Sequence, residues 1–350
     1  MIVESRPVLG EEGPTPWQGS GLADTVVTAG GDVIPVRATA RRPAWASLPL
    51  AVRHLIETSA GAPVSAAEST GTGFTPGFAS RLALADGRSI FVKAASSTYD
   101  ALHGWALSDA YREEVRKRRL LPHDIGAPTL LWHLDVDVDE ERWVIAAFEH
   151  IGAAPPRRPW RSDQLRSVVN KLEAIAPALT PVPTGLSLES ADELLMSGFE
   201  DRMGQLRSRS HNHRWLDAVE QLCRDHSALL AGSSVVHMDL RDDNVLISAT
   251  GEVWFVDWNW PVAGAPWIDL VCLLLSAGGD GHDVEAVLAQ HPLTDDVDPV
   301  AVDALLAVLW SFWADGMLRP VVASSPHLRA HQAWYADVTR NWLDQRLARR

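Results

Sequence analysis

The chain has 350 residues, of which 46% are hydrophobic and 22% charged, so it builds a sizeable core and is not a disordered tail. Its formal net charge of −14 excludes the basic footprint of a nucleic-acid binder and suits attraction of a cationic ligand. Two cysteines exclude a disulfide framework, and no basic-then-apolar leader or apolar run of roughly 18 residues is present, so a soluble cytoplasmic protein without membrane attachment is expected.

Residues 1–45 are rich in Gly and Pro and read as an N-terminal extension, either a short hairpin around Gly30 and Gly31 or an arm lying on the body. Residues 46–152 read as a small β-rich lobe. Within it, a short helix runs from Pro49 to about Ala60, with Pro in the first turn. Two strands follow, Phe78 to Leu84 and Ser89 to Ala94, joined by Ala85-Asp86-Gly87-Arg88, where Asp-Gly marks a hairpin. A helix over about 98–119 ends in Arg116-Lys117-Arg118-Arg119, where the helix dipole favours cations. Strands are expected near 129–134 and 142–148.

At Ala153-Ala154-Pro155-Pro156 the pattern changes, as at a linker. Residues 153–350 are then mainly helical, at about 160–177, 190–208, 213–231, 265–277, 283–290, 298–318 and 328–348. Short strands interrupt them near 235–236, 245–247 and 253–256. A small β lobe followed by a larger helical lobe makes an α+β, bilobal architecture.

The sharpest chemical signal is His237-Met238-Asp239-Leu240-Arg241-Asp242-Asp243-Asn244, flanked by the apolar pairs Val235-Val236 and Val245-Leu246. Phosphoryl transfer from ATP needs a carboxylate to orient the attacking hydroxyl and an oxygen ligand for Mg²⁺ on the phosphates. Asp239 suits the first role and Asn244 the second, although a solvated turn would use the same residues. The apolar run Trp254-Phe255-Val256 then ends in Asp257, with Gly251 supplying the intervening turn. Paired as a hairpin, the two runs bring Asp257 beside Asn244 and form the protein's half of a Mg²⁺ site.

This constellation resembles the catalytic loop and metal-binding aspartate of the aminoglycoside phosphotransferase family, a branch of the protein-kinase-like fold. Asp257-Trp258-Asn259-Trp260 and Gly264-Ala265-Pro266-Trp267-Ile268-Asp269-Leu270 look more like that family than like protein kinases, which carry Asp-Phe-Gly at the metal aspartate. The likeness runs from about residue 64 to 277. It implies that Asp269 braces the catalytic loop, that His237 is structural, and that Asp239 is the catalytic base. Arg241 is then either a phosphate ligand beside the transferred group or an ion-pair partner of Asp242 or Asp243.

Only three lysines occur, Lys93, Lys117 and Lys171, and Lys93 alone lies inside an apolar strand, where an ammonium needs a partner. The resemblance supplies one: Lys93 would bridge ATP phosphates and a helix glutamate, Glu114, with Glu113 the alternative one residue away. Gly71-Thr72-Gly73-Phe74-Thr75-Pro76-Gly77 would lie over the phosphates, with Gly73, Phe74, Thr75 and Gly77 as contacts. The adenine would meet backbone at Glu149 and Ile151.

The activity implied is transfer of the γ-phosphate of ATP, with Mg²⁺, to a hydroxyl of a small molecule. A hydroxylated antibiotic leads, an aminoglycoside or another sugar- or nucleoside-containing compound, giving resistance. A choline-type or amino-alcohol metabolite kinase is second. A nucleotide-binding pseudokinase interaction module is third, and the intact set Lys93, Asp239, Asn244 and Asp257 argues against it. A protein kinase is disfavoured by Trp258 and by the absence of an Ala-Pro-Glu segment. The partner is thus a hydroxylated, possibly cationic small molecule, with no nucleic acid or membrane, and the chain is a monomer or homodimer.

Overall fold

An antiparallel sheet whose central strands are buried on both faces shapes the first half of the chain. A computed structural model describes residues 25–27, 31, 33–36, 40–98 and 106–349. Strand β1 (Thr25–Val27) pairs antiparallel with β2 (Val33–Pro35). This is the expected hairpin; Gly30 and most of residues 1–45 lie outside the described residues. Val26 and Ile34, the inward middle positions, belong to the hydrophobic core of the helical lobe. Helix α1 (Leu50–Ala60) buries Val52, Ile56 and Ala60, four apart, and ends at Gly61. Gly61 has φ +76°, and its N–H caps the carbonyls of Glu57 and Thr58.

Five antiparallel strands follow in the spatial order β3-β4-β5-β7-β6: β3 (Val64–Ser69), β4 (Phe78–Leu84), β5 (Ser89–Ser96), β6 (Leu130–Val138) and β7 (Glu141–Glu149). The sequence reading missed β3. It is an edge strand of small and polar residues, mostly exposed, so it shows no apolar alternation. The Asp86-Gly87 turn joins β4 to β5, with Gly87 at φ +89°. Strands β6 and β7 are longer than expected because their polar ends still pair. The helix expected over 98–119 is described as α2 (Leu107–Arg118); residues 99–105 lie outside the described residues. The sheet buries Phe78, Leu82, Val92 and Ile145 against α1.

The second half holds α3 (Ser162–Ile175), α4 (Ala191–Met196), α5 (Phe199–Arg209), α6 (His213–His226), β8 (Ser234–Val236), β9 (Val245–Ile247), β10 (Val253–Phe255), β11 (Val262–Gly264), α7 (Ile268–Gly279), α8 (Val284–Gln290), α9 (Pro299–Met317) and α10 (Leu328–Leu347). The helix expected over 190–208 is two helices, broken at Gly198 with φ +66°. Strand β11 was not expected; it pairs with β8, and β9 pairs with β10. Helix α9 is long and apolar enough to cross a membrane, which the sequence reading had not found in any segment, but it is the core helix of this lobe and 78% of its apolar window is buried. The expected linker is pinned: Ala154 and Ile247 exchange backbone hydrogen bonds of 3.2 and 2.8 Å.

Strand β8 runs directly into the His237 loop, so its pairing with β11 sets where that loop starts. A methyl at Gly232, just ahead of β8, would stand 2.3 Å from the backbone oxygen of Gly264. Gly232→Ala is therefore expected to destabilise the protein by about 1–3 kcal/mol in urea denaturation, because backbone cannot swing aside as a side chain can. A change below about 0.5 kcal/mol would show that this approach is not tight.

Candidate active site

An ammonium buried in a sheet must find negative charge, and Lys93 finds it on both lobes. Lys93 is central in β5, paired with Ala79 on β4 and Ala146 on β7, and is 9% exposed. Its Nζ donates to both carboxylate oxygens of Glu114 on α2 at 2.8 Å and to Oδ1 of Asp257 after β10 at 2.7 Å. The alternative, Glu113, faces outward and pairs with Arg116. Burial pulls the Lys93 pKa down, but Asp257 and Glu114 outweigh it and hold the ammonium charged. Asp257 is lowered: burial opposes this, and Lys93 overcomes it. Burial raises Glu114, with Lys93 offsetting part of the rise.

The loop after β8 is braced from below. Asp269, in the first turn of α7, accepts the N–H of His237 at 2.7 Å and that of Met238 at 2.9 Å. Met238 sits at φ +69°, a strained setting for a residue with a Cβ, and these bonds hold it there. His237 Nε2 lies 2.9 Å from the carbonyl of Val256, which can only accept, so Nε2 carries the proton. Its buried Nδ1 has no hydrogen-bond partner, and burial lowers the imidazole pKa, so the ring is neutral. His237 is thus a prop against Trp258, 4.6 Å away between ring centres.

Asp239 follows, with 28% of its side chain open to solvent. Asn244 Nδ2 donates to its backbone oxygen at 2.7 Å and to Oδ2 at 3.1 Å, while Arg241 holds Oδ1 at 2.5 Å. Burial pushes the Asp239 carboxyl up to about 7; Arg241 opposes this, and Asp243 and Asp257 add to it. Arg241 also forks onto both oxygens of Asp243 at 3.0 Å. Of the partners offered by the sequence, Asp243 is the one used. Asp242 instead meets the buried Arg158 at 2.9 Å.

The glycine loop divides its residues differently from the expectation. Phe74 reaches across to the helical lobe, with its ring 5.0 Å from His331 and the Arg241 guanidinium 5.3 Å from its centre. Gly73 has φ +81°, and a Cβ there would lie 3.0 Å from Nη2 of Arg42. Gly77 is turned into α2, where a Cβ would meet Leu107 at 2.5 Å and Tyr111 at 2.6 Å, so close packing explains this glycine. Thr75 is half-buried. At the lobe junction the Glu149 N–H already donates to Thr129 at 2.8 Å, which removes it as a donor to a ligand, and Ile151 is buried. Trp258 and Trp267 are core residues, whereas Trp260 is 37% exposed.

Three residues escaped the sequence reading. Asn259 donates to Asp257 Oδ1 at 2.5 Å; Arg42 donates to the Thr72 carbonyl of the glycine loop at 2.8 Å, and the Tyr111 ring lies 5.7 Å from Lys93 Nζ. Asn259 was visible in the quoted segment, but Arg42, far away in sequence, carried no signal.

Among the described residues no group of three or more His, Cys, Asp or Glu side chains can hold a metal ion unaided. Mg²⁺ asks for less, since it keeps waters and phosphate oxygens and takes one or two protein oxygens. Asp257 Oδ2 and the Asn244 amide oxygen carry no hydrogen bond among the described residues, because Lys93, Asn259 and Asp239 engage the other atoms. The donor set is all oxygen and fits such an ion.

A family-wide sequence profile described as APH, the phosphotransferase enzyme family, matches residues 99–305, more than half of the chain. The match starts beyond Lys93, later than the resemblance read from the residues, so Lys93 and the glycine loop rest on geometry. No curated protein sequence gives a significant match. Among solved structures the chain is similar to the choline kinase LicA from Streptococcus pneumoniae, with 16% identity over 86% of this chain and 100% of that one, at TM-score 0.56. It is similar to the GDP complex of wild-type aminoglycoside 2'-phosphotransferase-IIIa, with 14% identity over 86% and 98% and TM-score 0.55. The microcompartment-associated aminopropanol kinase gives 13% identity over 84% and 97%, at TM-score 0.52. At these identities the likeness is one of fold: a bilobal, kinase-like α+β architecture.

The brace under the loop gives a stability prediction. Asp269→Ala leaves the buried backbone N–H of His237 and the half-buried one of Met238 without an acceptor. It is expected to cost at least about 2 kcal/mol in chemical denaturation. An unchanged midpoint would mean that Asp269 does not hold the loop.

Proposed function

The chain belongs to the APH phosphotransferase enzyme family, and on that premise we propose that it is an ATP- and Mg²⁺-dependent kinase for a hydroxyl of a small cationic molecule. The observation that carries this reading is the Lys93 contact to Glu114 on one lobe and Asp257 on the other, beside the Asp239–Asn244 pair.

Lys93 would grip the phosphates, held in place by Glu114. Asn244 and Asp257 would hold Mg²⁺, which when bound would neutralise phosphate charge. Asp239 is oriented through both oxygens, by Arg241 and Asn244, and would take a hydrogen bond from the acceptor hydroxyl and align it for in-line attack. Burial that raises its pKa also makes it a better proton acceptor when ionised. Arg241, already bound to that carboxylate, would stabilise its charge and face the transferred group.

For the acceptor, the proteins of similar fold are named for aminoglycosides, choline and aminopropanol, which are all hydroxylated cations. The net charge of −14 supports the same chemistry through attraction of cations. An aminoglycoside-like antibiotic is the leading acceptor. An amino-alcohol metabolite is the second reading, favoured by the choline and aminopropanol kinases among those structures.

Two tests separate these readings. ADP release, with mass detection of an added phosphate, is expected with a hydroxylated amine in a panel of aminoglycosides, other hydroxylated antibiotics and amino alcohols. Stoichiometric ATP binding without transfer to any of them would favour the pseudokinase. Asp239→Asn should lower turnover by at least about a thousandfold while MgATP still binds. Asp257→Ala should lose MgATP binding itself. Near-normal turnover in Asp239→Asn would remove the base from the scheme.

A further inference from the structure

Among the described residues around Asp257, the cations are matched by carboxylates, with Arg42 the exception. Lys93 is matched by Glu114 and Asp257, and Arg241 by Asp239 and Asp243. Arg42 donates only to the backbone oxygen of Thr72, at 2.8 Å, and its Nε is shielded from solvent without a hydrogen-bond partner. A half-buried guanidinium whose Nε is shielded without a partner is poorly compensated, because it gave up part of its water for a single neutral acceptor. Burial accordingly lowers its pKa, although Tyr111, Asp257 and Asp243 pull the other way.

Its place is specific. The carbonyl it holds belongs to the glycine loop, and Gly73 has no side chain where the guanidinium passes. The Tyr111 hydroxyl, in the same field as Arg42, Lys93 and Asp257, is a second buried polar atom without a partner. Two polar atoms without partners, one on the residue that holds the glycine loop and one on a ring 5.7 Å from Lys93 Nζ, call for a ligand rich in acceptor oxygens. The planar fork of arginine matches a phosphate better than any other common anion.

We propose that Arg42 is a phosphate ligand of the bound nucleotide, supplied by the N-terminal arm and donating from its guanidinium beneath the glycine loop. This rests on the nucleotide reading of the cleft. The arm is hooked to the helical lobe: His331 Nε2 meets the carbonyl of Pro35 at 2.9 Å, and the Arg41 N–H donates to Ser324 at 2.7 Å. The next residue, Arg42, reaches the glycine loop of the small lobe. A phosphate held by Arg42 and Lys93 therefore ties arm, small lobe and helical lobe together, and the arm becomes part of the nucleotide site.

Calorimetric titration with MgATP and with adenosine tests this. Arg42→Gln, which removes the charge and keeps a shorter amide donor, should weaken MgATP by about tenfold to a hundredfold and leave adenosine within about twofold. Arg42→Lys, which keeps the charge, should recover part of the loss. The melting temperature without nucleotide should hold or rise in Arg42→Gln, since a half-buried cation without a carboxylate is gone. Unchanged MgATP affinity in Arg42→Gln overturns the proposal. Tighter MgATP binding also overturns it and makes the arginine a plug, and a parallel loss of adenosine binding overturns it in favour of a structural latch. Lys93→Met is the control. If it weakens MgATP while Arg42→Gln does not, only the role of Arg42 fails; if neither variant matters, the nucleotide reading fails with it.

Discussion

One buried ammonium joined to two carboxylates from opposite lobes organises this protein. Lys93 could not remain charged in the middle of a sheet unless acidic groups came to it, and leaving it alone would cost several kcal/mol. Glu114 therefore fixes α2 against β5, and Asp257 fixes the end of β10 against the small lobe. The cleft between the lobes is where these requirements meet.

The helical lobe keeps its side of that bargain through strain held by hydrogen bonds. Met238 and Asp257, at φ +69° and +68°, are both in the left-handed region and both flank the cleft. Asp269 holds the first, while Lys93 and Asn259 hold the side chain of the second. His237 links them, reaching from the loop after β8 to the carbonyl just before Asp257. A rigid, charged floor of this kind suits phosphoryl transfer, in which the protein contributes mostly position and electrostatics.

Legibility followed physical cause. Helix α10 was readable because burial of one face imposes a period on the sequence, whereas β4, β5 and the largely buried α9 were readable as apolar runs bounded by turn residues. Strand β3 was not, because an exposed edge imposes none, and the break at Gly198 was hidden inside a continuous helical pattern. In the site, Asp239, Asn244 and Asp257 were readable because the turn geometry of one short hairpin spaces them closely. Gly77 packs against α2, and a glycine before a strand looks alike whether it makes room for a ligand or for a neighbouring helix.

The sequence by itself determined the two-lobe order, the hairpin bearing Asn244 and Asp257, and the need of Lys93 for an acidic partner, since these follow from local periodicity, turn chemistry and the cost of burying charge. Only the tertiary structure decided that Glu114 and not Glu113 turns inward, that Arg241 takes Asp239 and Asp243 while Asp242 goes to Arg158, and that Arg42 enters the cleft. Those choices depend on which face of a helix or loop meets a partner far away in sequence, and no local pattern records that.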